Sequence, residues 1–88
     1  MRDLSDMAEG ERLETEWEGL RLVVEKRPDH WQAFVYDPDT CEVLYTAERT
    51  TIDEAKFAAL EFAAVHAFGP AHDLKLEILS QMLVWEPR

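Results

Sequence analysis

Leu20-Arg21-Leu22-Val23-Val24-Glu25-Lys26, Trp31-Gln32-Ala33-Phe34-Val35-Tyr36 and Glu42-Val43-Leu44-Tyr45-Thr46-Ala47-Glu48 are three short runs rich in β-branched and aromatic residues. Side chains alternate along each of them, the period of two that places neighbours on opposite faces of a strand. Between the runs, Arg27-Pro28-Asp29-His30 and Asp37-Pro38-Asp39-Thr40 carry turn chemistry. Proline presets φ, and aspartate bonds its own backbone two residues on. Connections this short join antiparallel neighbours, so the stretch predicts a three-stranded meander.

Downstream, Thr51-Ile52-Asp53-Glu54 spells a capping box. The Thr51 hydroxyl can accept the amide of Glu54 while the Glu54 carboxylate reaches back to the amide of Thr51. An alanine-rich run of high helix propensity follows, and Gly69-Pro70 stops it, which predicts a helix over 52–68. At 100° per residue, Ile52, Ala55, Ala59, Phe62, Ala63 and His66 share a face whose small side chains suit close packing on a sheet. Phe57, Leu60, Ala64 and Phe68 form a second apolar stripe that needs cover. Leu74, Ile78, Leu79, Met82 and Leu83 fit a second helix over 74–84, with Asp73 as N-cap, that would supply it. Leu74, Leu76 and Ile78 also alternate, as a fourth strand would. The expected class is α+β in the order β-β-β-α-α, a three-stranded antiparallel meander with one long helix across a face and a second helix beside it.

Upstream, residues 1–18 carry seven acids against Arg2 and Arg12. Charge-rich ends rarely bury enough apolar surface to order, so residues 1–16 are expected to be an acidic, disordered segment and 17–88 a single α+β domain. A docking segment for a basic partner is the alternative. The whole chain, 88 residues with a net charge of −10, has no room for a second domain and is repelled by phosphate backbones and anionic headgroups. Nucleic-acid and membrane partners are therefore not expected. No apolar run approaches the ~20 residues of a membrane span, and Met1-Arg2-Asp3 opens an acidic stretch unlike a signal peptide; a cytoplasmic location is expected. Cys41 is the single cysteine, so no intramolecular disulfide forms.

No residue set converges on catalysis, a metal or a cofactor. Asp37, Asp39, Cys41, Val43 and Glu48 fall on calcium-loop positions, but Glu42 stands where that loop requires glycine. His66 and His72 lack further ligands at a zinc spacing. His66 is expected as a partly buried structural histidine facing the sheet; an enzymatic or ligand-binding reading would need a pocket around it. Trp17 and Trp85, at the two ends of the folded region, either pack together or mark a contact surface. Val23, Phe34, Tyr36 and Leu44 should share one sheet face, and Leu22, Val24, Ala33, Val35 and Val43 the other. Only one set can meet the helix, so the first is expected to be a patch for a partner protein or a second copy.

The strand Leu22-Val23-Val24-Glu25-Lys26, the strand Trp31-Gln32-Ala33-Phe34-Val35, the turn Asp37-Pro38-Asp39 and the helix start Thr51-Ile52-Asp53-Glu54-Ala55 resemble the HicB family of small bacterial antitoxins. That family's partial RNase H-like unit runs strand, strand, strand, helix, and the resemblance spans residues 20–67, about half the chain. The glycine-bearing turn usual after the second strand is absent from Asp39-Thr40-Cys41-Glu42, and no helix-turn-helix or ribbon-helix-helix follows. The resemblance implies a non-catalytic module that covers a small basic toxin ribonuclease, with which the negative charge is compatible.

Overall fold

The computed structural model describes residues 11–87. The elements are β1 (Arg12–Trp17), β2 (Leu20–Lys26), β3 (Trp31–Tyr36), β4 (Val43–Arg49), α1 (Ile52–Phe68), α2 (Leu76–Met82) and β5 (Glu86–Pro87). All five strands form one antiparallel sheet in the order β4-β3-β2-β1-β5. The class is α+β, as the strand and helix patterns require. The meander has four strands rather than three, and a short fifth strand closes on β1.

The added strand, β1, lies, all but Trp17, within the segment 1–16 expected to be acidic and disordered. Its acids all belong to one face: Arg12, Glu14 and Glu16 alternate with Leu13, Thr15 and Trp17, which pair with Val24, Leu22 and Leu20 of β2. A strand that faces solvent on one side can carry charge at every second residue without loss of core. Glu18 and Gly19 form the two-residue link to β2, both with positive φ, at 52° and 76°. This is the backbone sign of a type I′ hairpin, whose twist matches that of the strands, and the glycine takes its φ without a Cβ penalty. Strand structure is thus present before residue 17, while residues 1–10 of the expected segment lie outside the described residues.

The two predicted turns form by their own side chains and backbone. Arg27 N–H donates to the His30 carbonyl at 3.0 Å, Cys41 N–H to the Asp37 carbonyl at 2.7 Å, and Asp37 Oδ1 accepts Asp39 N–H at 2.9 Å. At α1, Thr51 Oγ1 accepts Glu54 N–H at 3.1 Å. The return contact differs from a full capping box, because the Glu54 carboxylate takes the Thr50 hydroxyl at 3.4 Å. Gly69, at φ 88°, ends the helix and donates its N–H to the Val65 carbonyl at 2.8 Å.

α1 packs across β2, β3 and β4. Ala55, Ala59 and Ala63 are wholly buried with Leu22, Val24, Ala33 and Val35 in one core cluster. Tyr45 of β4 stacks on Phe62 at a centroid distance of 4.7 Å, and Trp17 meets Phe68 edge-on at 5.9 Å. Of the second stripe, Leu60 and Ala64 are fully buried in the same core cluster as Leu76 of α2, with Leu79 and Leu83 packed against that cluster, while Phe68 meets Trp17 of β1. α2 is shorter than the 74–84 expected. Lys75 holds the N-cap position without a side-chain bond, so Asp73 does not cap it, and from Leu83 the backbone is extended toward Glu86 and Pro87, which pair with Glu14 and Leu13. Trp17 and Trp85 have separate partners, Phe68 for the first and the Lys56 ammonium for the second.

Because Ala59 has no exposed surface, a larger side chain has nowhere to go but into the sheet. Ala59→Leu is expected to cost about 1–3 kcal/mol, as overpacking of a filled core does. Urea unfolding followed by circular dichroism measures this as a lowered midpoint at unchanged slope; an unchanged midpoint would show that α1 lies farther from the sheet.

Candidate functional site

Opposite α1, strand register lays the outer sheet face out in three rows. The first is Arg12, Glu25, Gln32, Glu48; the second is Glu86, Glu14, Val23, Phe34, Thr46; the third is Glu16, Arg21, Tyr36, Val43. Val23, Phe34 and Tyr36 share this face, as alternation predicts. Leu44 does not join them. The β3–β4 register shifts between Val35 and Tyr36, so that Val43 pairs with Tyr36 and is 55% exposed, while Leu44 packs against the core. One extra residue in a bulge reverses the alternation beyond it, which corrects the predicted places of both residues. Val23 is also less available than a bare face implies. Between its cross-strand neighbours Glu14 and Phe34 it is only 1% exposed, leaving half-buried Phe34 and Tyr36 as the accessible apolar surface with Val43.

Charged groups hold this surface in place. Arg21 Nη1 donates to Glu14 Oε1 at 3.2 Å, Nη2 donates to Glu16 Oε1, and the Tyr36 hydroxyl donates to Glu14 Oε1 at 3.3 Å. Glu14 is 8% exposed, so its carboxylate needs these donors. Burial raises the Tyr36 phenol above its ordinary pKa, and the Glu14 charge acts in the same direction. Hydrogen bonds to Glu16 and Glu14 raise the Arg21 guanidinium. Across the three rows, Glu14, Glu16, Glu25, Glu48 and Glu86 stand against Arg12 and Arg21, so the face is acidic around an aromatic centre.

At the edge of the first row, His30 Nδ1 lies 2.7 Å from Asp29 Oδ1, and its Nε2 lies 3.3 Å from Gln32 Oε1 and 3.8 Å from Glu48 Oε1. A protonated imidazole donates from both nitrogens and fits these acceptors. The Asp29 bond chiefly raises the His30 pKa, and the same bond chiefly lowers that of Asp29. Sequence reading passed over His30 as a turn residue; its signal is the adjacent Asp29.

His66 is not where the helical wheel placed it. It is exposed, as are Val65, Ala67 and Phe68, because the last turn of α1 projects beyond the small-residue contact that ends at Ala63 and Ala64. Its ring lies 6.0 Å from that of Phe62. A shallow depression nearby is lined by Tyr45, Arg49, Phe62 and Val65 without His66. His72 Nδ1 accepts the Leu74 N–H at 3.3 Å. Asp37 is engaged in its turn and Glu48 lies on the outer face, so the calcium-like spacing assembles nothing. Among the described residues no group of three or more His, Cys, Asp or Glu side chains could hold a metal ion, and no helix is long and apolar enough to cross a membrane. Cys41 is exposed in its turn.

A second apolar surface escaped the sequence reading. Leu74, Ile78 and Met82, spaced four apart, are 36%, 57% and 71% exposed. The expected second helix used all three to cover α1, but Leu74 precedes α2, and a helix presents only one side to its neighbour, which Leu76 and Leu79 occupy in place of Ile78 and Met82. No family model matches the chain, and no curated protein or solved structure matches it.

The His30 geometry has a pH signature. With its folded pKa raised, His30 contributes stability that is fully present below its unfolded pKa of about 6.5 and lost as pH rises through the folded pKa. Asp29, lowered from 3.8, contributes stability present above that value and lost as pH falls through its folded pKa. The difference in urea midpoint between the wild type and His30→Gln should therefore be larger near pH 5.5 than near pH 9; equal differences would show that the histidine gains nothing from Asp29.

Proposed function

We propose that this chain is a non-catalytic domain that binds another protein through the outer face of its sheet, and that the partner surface is basic. The reading rests on one observation. No described element covers the face on which Phe34 and Tyr36 emerge, and the residues around them carry five carboxylates against two guanidinium groups. Aromatic side chains at the centre of a contact supply apolar area at low entropic cost, and the surrounding charge steers and selects the partner. The phenol of Tyr36, tied to Glu14 and through it to Arg21, is already oriented for such a contact.

The antitoxin reading is a narrower form of the same proposal. The order β2, β3, β4, α1 over the residues that resemble the HicB family is strand, strand, strand, helix, and an acidic face suits a small basic ribonuclease. Self-association is the competing form of protein binding, but two copies of a chain at −10 repel each other, which disfavours it at low salt.

Both forms are separated by one experiment. Affinity capture from native lysate with the wild type as bait is expected to retain a basic protein in stoichiometric amount, with retention falling steeply as salt rises. The Phe34→Ser/Tyr36→Ser variant should lose it while keeping its helical circular dichroism. RNA cleavage by the freed partner, inhibited by the wild type, would support the antitoxin form. Undiminished capture by the double variant would place the contact elsewhere and overturn the sheet-face reading.

A further inference from the structure

A cleft of about 510 Å³ opens where the first turns of α1 meet α2 and the chain entering β5. Its size falls within the range of small-molecule sites. Phe57, Leu83 and Trp85 give it an apolar wall, and Lys56, Asp53 and Glu77 bring charge to it. It lies on the opposite side of the sheet from the proposed protein-binding face, since Leu13, which also lines it, points to the inner face.

Lys56 is the informative residue. It is half-buried, and burial lowers the pKa of its amine against the opposing pull of Asp53. The ammonium lies 5.4 Å from the centroid of the Trp85 ring, a cation–π contact, and forms no ion pair with a carboxylate among the described residues. The Trp85 indole N–H is itself buried without an acceptor. A partly desolvated cation without a carboxylate partner at the wall of the cleft favours an anionic oxygen.

The remaining charge narrows the class of ligand. Asp53 and Glu77 are exposed at the mouth, so with Lys56 the cleft sums to one negative charge, within a chain at −10. A phosphate or dicarboxylate is repelled by that field. A molecule with one carboxylate and one ammonium is attracted at both ends, and its apolar part has Phe57 and Leu83 to lie on.

We propose that this cleft binds a small amino-acid-like zwitterion with an apolar side chain, its carboxylate on Lys56, its ammonium on Asp53 or Glu77, and its side chain against Phe57 and Leu83. The site is independent of the sheet-face reading and stands or falls separately from it.

The test uses the full chain labelled with ¹⁵N and follows the Trp85 indole resonance while L-phenylalanine, phenylacetate or phenethylamine is added. L-Phenylalanine is expected to give a saturable shift, with each half-ligand at least about tenfold weaker. Lys56→Met should weaken L-phenylalanine at least about tenfold. Should that variant not fold, Asp53→Asn/Glu77→Gln, which alters exposed residues only, decides the matter: it should weaken L-phenylalanine to the level of phenylacetate and leave phenylacetate no weaker. The proposal is overturned by the absence of a saturable shift up to about 20 mM with L-phenylalanine and L-leucine, by phenethylamine binding as well as the zwitterion, or by affinity that none of these substitutions changes.

Discussion

The close approach of α1 to the sheet is the constraint on which the rest of the structure depends. Ala55, Ala59 and Ala63 offer no side chain beyond Cβ, and Ala33 on the facing strand is equally small and fully buried. Leu22, Val24 and Val35 then fill the layer between helix and sheet. Burying a branched aliphatic side chain stabilises by about 1.5–3 kcal/mol, and a chain of this size has few such residues to spare. Each must therefore lie in one thin layer. Stacking of Tyr45 on Phe62 and the edge contact of Trp17 with Phe68 seal two of its margins.

Two consequences follow from spending α1 on one face. Its second stripe, Leu60 and Ala64, must be buried as well, and the C-terminal segment adds Leu76, Leu79 and Leu83 to that core before returning along β1 as β5. The cleft around Lys56 is the space left where these three elements meet. The other consequence is that nothing covers the outer sheet face, so its residues must satisfy water and each other. Glu14 and Glu86 stand directly opposite across β1 and β5, an arrangement of like charges that costs stability, and Arg21 together with the Tyr36 hydroxyl stabilises the more buried of the two.

Charge is thereby sorted by position. The acids of β1 point outward with those of β2 and β4, while the inner face of the same strands carries no acid and is apolar apart from Thr15 and, at the strand ends, Lys26 and Arg49. An acidic stretch and a folded strand are compatible whenever the charges recur at every second residue. The outer sheet face therefore carries five carboxylates against two guanidinium groups, and that surface is where Phe34 and Tyr36 emerge.

The strands β2, β3 and β4, both predicted turns, and the start and stop of α1 were legible in the sequence because each is encoded locally, by alternation, by Pro-Asp pairs, by Thr51 and by Gly69. The sharing of one face by Val23, Phe34 and Tyr36 was legible for the same reason. β1 was equally local, with Leu13, Thr15 and Trp17 in alternation and Gly19 at its hairpin, but the density of acids masked the period. What only the tertiary structure decided depends on neighbours distant in sequence. The bulge opposite Tyr36 turned Leu44 inward and Val43 outward; the small-residue contact of α1, ending at Ala63 and Ala64, left His66 in solvent; and the single side that α2 could present to its neighbour chose Leu76 and Leu79 over Ile78 and Met82. A side chain's periodicity says which residues share a face, whereas the packing of separate elements determines what that face meets.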